Sequence, residues 1–121
     1  MHNFRNLNIW KRSLDFSIEI LELSKCFPSN ERYELTSQIV RSAVSIPSNI
    51  AEGSGRTSNK EFARFLDIAL GSAFELETQL IIAYKIQLIT KEDFEPIQNL
   101  IVIESKMINS FITSLKNKIA E

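Results

Sequence analysis

The chain has 121 residues, 44% hydrophobic and 24% charged, with a formal net charge of -1. That length fits a single domain over residues 1–121, and the composition excludes both a disordered chain and a globally basic nucleic-acid binder. Only 3 glycines and 3 prolines are present, too few for the many turns of a β-sandwich or barrel, so helices are favoured.

Leu7, Trp10, Leu14, Ile18 and Leu21 recur every three or four residues and predict a first helix from about Ile9 to Cys26. Phe27-Pro28-Ser29 ends it. Ser29 is the expected N-cap of a second helix, with Glu31 in its first turn and Leu35, Ile39, Ala43, Ile46 and Ile50 on its buried side. Pro47 lies inside that pattern and removes a backbone hydrogen bond, which predicts a kink near residues 43–46. Gly53-Ser54-Gly55 is expected to break the helix.

Ser58 and Glu61 form a Ser-x-x-Glu capping box that opens a third helix. Its stripe is Phe62, Phe65, Leu66, Ala69, Ala73, Leu76, Leu80 and Ala83, and it runs for about 28 residues, or ~40 Å. Thr90 or Asp93 caps the last helix, which tolerates Pro96 near its start and continues through Ile97, Ile101, Ile108, Ile112, Leu115 and Ile119. Four helices joined by short connections imply an all-α, up-down-up-down four-helix bundle with long third and fourth helices.

Leu80-Ile81-Ile82-Ala83-Tyr84 and Leu100-Ile101-Val102-Ile103 are the longest apolar runs. They are far short of the roughly 20 residues of a membrane span. At about 100° per residue they wrap apolar groups around most of a helix, which one intramolecular core does not cover. A homo-oligomer is therefore expected.

Alternating helix directions place the starts of helices 1 and 3 beside the ends of helices 2 and 4. That end collects Arg5, Lys11, Arg12, Arg56, Lys60, Arg64, Lys116 and Lys118 against Asp15, Glu52, Glu61, Asp67 and Glu121, while the opposite end is acidic. A ring of parallel subunits multiplies the basic end into a face that meets phosphates, with exposed amides at the start of helix 3 adding to the attraction. Arg56, Lys60, Arg64, Arg12 and Lys11 are its candidate contacts; the plainer alternative is a solvated surface.

Catalytic and metal chemistry find little support. The only histidine, His2, sits at a terminus expected to fray, which argues against a histidine triad or a Glu-x-x-His metal pair. Cys26, the only cysteine, lies beside Phe27 and reads as a small buried hydrophobe in a reducing cytoplasm. Ser45, Ser48, Asn49 and Glu52 cluster near Pro47 and read as structural, satisfying backbone groups that the proline frees. No metal or cofactor is expected.

The stretch Gln38-Ile39-Val40-Arg41-Ser42-Ala43-Val44-Ser45-Ile46-Pro47-Ser48-Asn49-Ile50-Ala51-Glu52-Gly53 resembles the 23S rRNA-intervening-sequence protein family, also called four-helix bundle proteins. The likeness continues through Gly55-Arg56-Thr57-Ser58, Glu61-Phe62 and Ala69-Leu70-Gly71-Ser72-Ala73-Phe74-Glu75-Leu76, with Leu7, Trp10-Lys11 and Phe27-Pro28 upstream. The resemblance implies a bacterial protein that forms ring-like, pentameric oligomers, in a family without an established biochemical activity. The family is also similar to accessory proteins of diversity-generating retroelements, which are basic pentamers that bind nucleic acid and a reverse transcriptase. This chain differs from those in its slightly acidic balance. Two expectations follow: a non-catalytic oligomer that binds RNA or another nucleic acid through its basic end, or a scaffold that engages a protein partner.

Overall fold

Apolar residues spaced three and four apart build four helices in the computed structural model, which describes residues 2–28 and 33–120 and the side chains of residues 2–28 and 34–119. A 3-10 turn at Phe4–Asn6 leads into α1 (Asn8–Ser24), followed by α2 (Tyr33–Ser54), α3 (Asn59–Lys85) and α4 (Lys91–Ala120). Each helix packs on its sequence neighbours and α1 also meets α4, so the order around the bundle is α1, α2, α3, α4. The α1–α4 seam is the sparsest of the four. Among the described residues there is no strand.

The helix ends follow side-chain chemistry. Ser58 is extended and its Oγ accepts the Glu61 amide at 3.1 Å, opening α3 as predicted. Gln87, with φ 64°, closes α3 in the left-handed conformation. Its N–H donates to Tyr84 O at 3.0 Å and that of Leu88 to Ala83 O at 2.8 Å, a Schellman closure built without glycine. Thr90, rather than Asp93, caps α4, since its Oγ1 accepts the Asp93 amide at 3.3 Å. The predicted cap Ser29 and Glu31 lie outside the described residues.

The core is a continuous cluster drawn from all four helices. Its largest wholly enclosed side chains include Phe16, Phe62, Leu66, Leu76, Ile46 and Ile101. The whole predicted α3 stripe is buried, as are Ile39, Ala43, Ile46 and Ile50 of α2. Ala43, Ala69, Ala73 and Ala83 are fully enclosed, and such small residues let helix backbones approach closely.

Helix α2 runs unbroken through Pro47 to Ser54, so Gly53 lies inside the helix rather than ending it. A Cβ on Gly53 would stand 2.6 Å from Phe65 Cβ and 3.0 Å from Phe62 Cδ1. Glycine is thus required there because α3 passes against the α2 backbone. Pro47 has no N–H to offer Ala43 O, and the Ser17 hydroxyl on α1 donates to that carbonyl at 2.9 Å instead.

The first helix corrects the sequence reading. Its buried face is Ile9, Ser13, Phe16, Ser17 and Ile20, while Ile18 and Leu21 are exposed and Trp10 and Leu14 only half-buried. Trp10, Leu14, Ile18 and Leu21 of the stripe read as core line an open groove shared with Val44, Pro47 and Ala51 of α2, while Leu7 and Trp10 also pack against the edge of the core. Ser13 and Ser17 tolerate burial because their hydroxyls donate to Trp10 O at 3.1 Å and Ala43 O at 2.9 Å. Ile81, Ile82 and Ile103 are also exposed, since their apolar runs outrun the width of one core. Cys26, expected to be buried, is exposed just past the end of α1.

Candidate nucleic-acid interface

The end of α2, the start of α3 and the far part of α4 converge at one end of the bundle. Three contacts fix this: the His2 amide donates to Ser54 O at 2.9 Å, the His2 ring stands 4.9 Å from that of Phe62, and Phe62 stands 5.5 Å from Phe111. His2 is therefore pinned against the bundle rather than frayed. A ring held by a backbone bond and aromatic neighbours adds closure to the core.

Two of the candidate arginines flank a single aromatic ring. Arg56 and Arg64 place their guanidinium carbons 4.7 and 4.8 Å from the Phe65 centroid, contacts worth roughly 0.5–1 kcal/mol each at exposed sites. Each also pairs with a carboxylate on its own segment, Arg56 with Glu52 at 2.9 Å and Arg64 with Glu61 at 2.9 Å. The Arg64 hydrogen bond, followed by its charge, lowers the Glu61 carboxyl below its usual value. Gly53 makes the arrangement possible, because its missing side chain lets Phe65 come under the α2 terminus.

Lys60 is exposed one turn before Arg64. With Arg64 and Lys116 it lines a groove of about 660 Å³ between α3 and α4, together with Glu61, Asp67, Ala63 and Ile119. Three cations and two carboxylates give this groove a slightly positive lining. The amides opening α3 are partly used, since Ser58 Oγ takes the Glu61 N–H. Lys11 is exposed on the outer side of α1.

Arg12 does not join them. Its Nε is 3.5 Å from Oε1 of Glu104, a wholly buried carboxylate on α4, and the guanidinium lies in the α1–α4 seam. The contact is one of charge without hydrogen-bond geometry: Arg12 Nε and Nη2 and both Glu104 oxygens lack hydrogen-bond partners. Burial pushes the Glu104 carboxyl from 4.5 up to about 8, against the opposing pull of Arg12. Sequence reasoning missed Glu104, although it sits three residues after Ile101 and four before Ile108 on the buried face.

The polar motif around Pro47 is spent on hydrogen bonds and an ion pair, with Ser45 and Asn49 half-buried and Ser48 and Glu52 exposed. Ser45 and Ser72 share a hydroxyl contact of 2.8 Å across α2 and α3. Asn49 Nδ2 donates to Ser45 O at 2.8 Å and to its Oγ at 3.0 Å, and Ser48 Oγ donates to Val44 O at 2.8 Å. Glu52 is occupied by Arg56. Among the described residues no group of three or more His, Cys, Asp or Glu side chains gathers to hold a metal, and no helix is long and apolar enough to cross a membrane.

Comparison with known proteins agrees with this architecture. Residues 5–110 match the family described as 23S rRNA-intervening sequence protein. A crystal structure of a protein of unknown function from the S23 ribosomal protein family of Bacteroides thetaiotaomicron VPI-5482 superposes with a TM-score of 0.79 at 36% identity, covering 86% of this chain and 97% of that one. No curated protein matches.

Proposed function

The chain belongs to the 23S rRNA-intervening sequence protein family, and we infer that it works as a non-catalytic homo-oligomer that binds RNA or another nucleic acid through the end carrying Arg56, Lys60 and Arg64. The observation that supports this reading is the bracing of Arg56 and Arg64 on Phe65 beside the groove lined by Lys60 and Lys116. Guanidiniums held in place lose little freedom on meeting a phosphate, and each neutralised phosphate releases counterions. Lys11 adds an exposed cation near the start of α1. A pentameric ring would repeat the patch five times around one axis, so weak single contacts add by multivalency.

The test is fluorescence anisotropy of a labelled short RNA across a salt series. With three phosphate contacts on a single strand, binding should weaken roughly twentyfold between about 50 and 200 mM salt. Replacing Arg56, Lys60 and Arg64 together by Glu should remove it. Absent binding at low salt, or binding indifferent to salt, would sink the reading.

One observation favours a protein-interaction scaffold as the second reading: Arg56 and Arg64 already have carboxylate partners within the chain. A nuclease-insensitive pull-down that recovers one stoichiometric protein would favour that role.

A further inference from the structure

We propose that the pocket between the N-terminal 3-10 turn and the last turn of α2 receives an unpaired base, stacked on Arg5, so that this chain selects single-stranded nucleic acid over duplex. This rests on the nucleic-acid reading above and names the class of strand it would bind. The pocket, of about 460 Å³, is formed by Asn3, Phe4 and Arg5 against Ala51, Ser54 and Gly55, and no carboxylate lines it. Its volume falls in the range of roughly 300–1,000 Å³ that small-molecule sites occupy.

The turn is built as a platform. The Arg5 guanidinium carbon lies 4.4 Å from the Phe4 centroid, and Phe4 packs against Trp10 with centroids 5.0 Å apart and planes at 64°. Asn3 fixes the turn, its Oδ1 accepting the Arg5 N–H at 3.2 Å, which leaves the Asn3 amide Nδ2 to donate to a base edge. Arg5 is exposed and, unlike Arg56 and Arg64, is in no ion pair found among the described residues. A guanidinium braced on an aromatic ring offers its outer face to a base, and no carboxylate competes for it.

The pocket adjoins the arginines proposed to meet phosphates. Ala51 and Ser54 face the turn, Gly53 faces Phe65, and Gly55 on the pocket wall is followed directly by Arg56. Pocket and braced arginines therefore flank one helix end. The negative end of α2 does not oppose a strand there with bare acceptors, because its last carbonyls are taken. Ala51 O accepts the Ser54 hydroxyl at 2.7 Å, and Glu52, Gly53 and Ser54 O accept the N–H groups of Gly55, Arg56 and His2 at 3.2, 3.1 and 2.9 Å. A strand whose phosphate meets Arg56 thus brings a neighbouring base to the Arg5–Phe4 pair.

A duplex cannot use this pocket. Its bases are already paired and stacked, and an A-form helix shows a protein mainly phosphates and 2′-hydroxyls. An unpaired base gains a stacking partner here, an interaction that contributes roughly five- to a hundredfold in affinity per base. The discrimination is by strand state and tolerates sequence, since every base has a π-face.

The test compares three labelled oligomers of equal length at low salt: single-stranded oligoadenylate, its duplex with oligouridylate, and an abasic ribose-phosphate strand. The single strand should bind at least about tenfold more tightly than the other two, and should quench the fluorescence of Trp10, the chain's only tryptophan. Arg5→Lys keeps the charge and loses the planar face, so it should bind the abasic strand as wild type does and lose the preference for bases. Equal binding of all three, single-strand binding that leaves Trp10 unquenched, or a preference for bases that survives Arg5→Lys would each overturn the pocket while leaving the contacts of Arg56, Lys60 and Arg64 standing. Binding of none of the three at low salt would overturn both readings.

Discussion

Glu104 gives the bundle a pH dependence opposite to the usual loss of stability in acid. Its carboxyl is raised from 4.5 to about 8 by burial, so the folded chain holds a proton that the unfolded chain releases. The stability linked to that proton is fully present below about 4.5 and is lost as pH rises through about 8. Integrated over pH 5 to 8, the loss is on the order of 3 kcal/mol, which at about 4 °C per kcal/mol lowers Tm by ~12 °C. Glu104→Gln keeps the shape but cannot ionise, so its Tm should be nearly flat over that range, apart from the chain's other groups. The assay is thermal unfolding of both proteins followed by circular dichroism from pH 5 to 8.5. Parallel pH profiles would refute the reasoning and show that Arg12 keeps the carboxylate charged throughout.

Gly53→Ala should destabilise by about 1–3 kcal/mol, because the added methyl collides with Phe65 Cβ, which cannot swing aside; unchanged urea unfolding would contradict the close approach of α2 and α3. Ser17→Ala should cost about 1–3 kcal/mol by stranding the Ala43 carbonyl. That cost should shrink in a Pro47→Ala background, where residue 47 regains the N–H that the carbonyl lacks, and a double-mutant cycle by urea unfolding measures the difference. Gln87→Gly should raise stability by about 0.5–1 kcal/mol in thermal unfolding, since φ 64° favours glycine. A fall in Tm would indicate that the Gln87 side chain contributes to the turn.

The third helix was readable from sequence because its pattern is strong at both levels: a Ser-x-x-Glu start and an eight-residue apolar stripe that is buried throughout, although Ile68, Phe74, Ile81 and Ile82 lie exposed outside it. The first helix was not. Leu14-Ile18-Leu21 is as regular as the face that is buried, and the latter carries Ser13 and Ser17, which look polar until their acceptors are known. Ser17 could be placed only with Pro47 in view, because its acceptor, the Ala43 carbonyl that Pro47 leaves without an N–H, lies 26 residues away in sequence. Gly53 reads as a helix breaker locally and becomes a helix residue when α3 covers it. At the basic end, Arg56, Lys60 and Arg64 lie where the alternating topology puts them, whereas Arg12 is drawn into the α1–α4 seam by a carboxylate on a helix far away in the sequence.

Whether the chain forms an oligomer that meets nucleic acid through its basic end is decided by size exclusion with in-line light scattering, with and without a short RNA, at low and then moderate salt. A multi-subunit particle should co-elute with RNA at low salt, release it at moderate salt, and fail to retain it when Arg56, Lys60 and Arg64 are replaced by Glu. A particle whose mass and elution ignore RNA at both salt concentrations would contradict it.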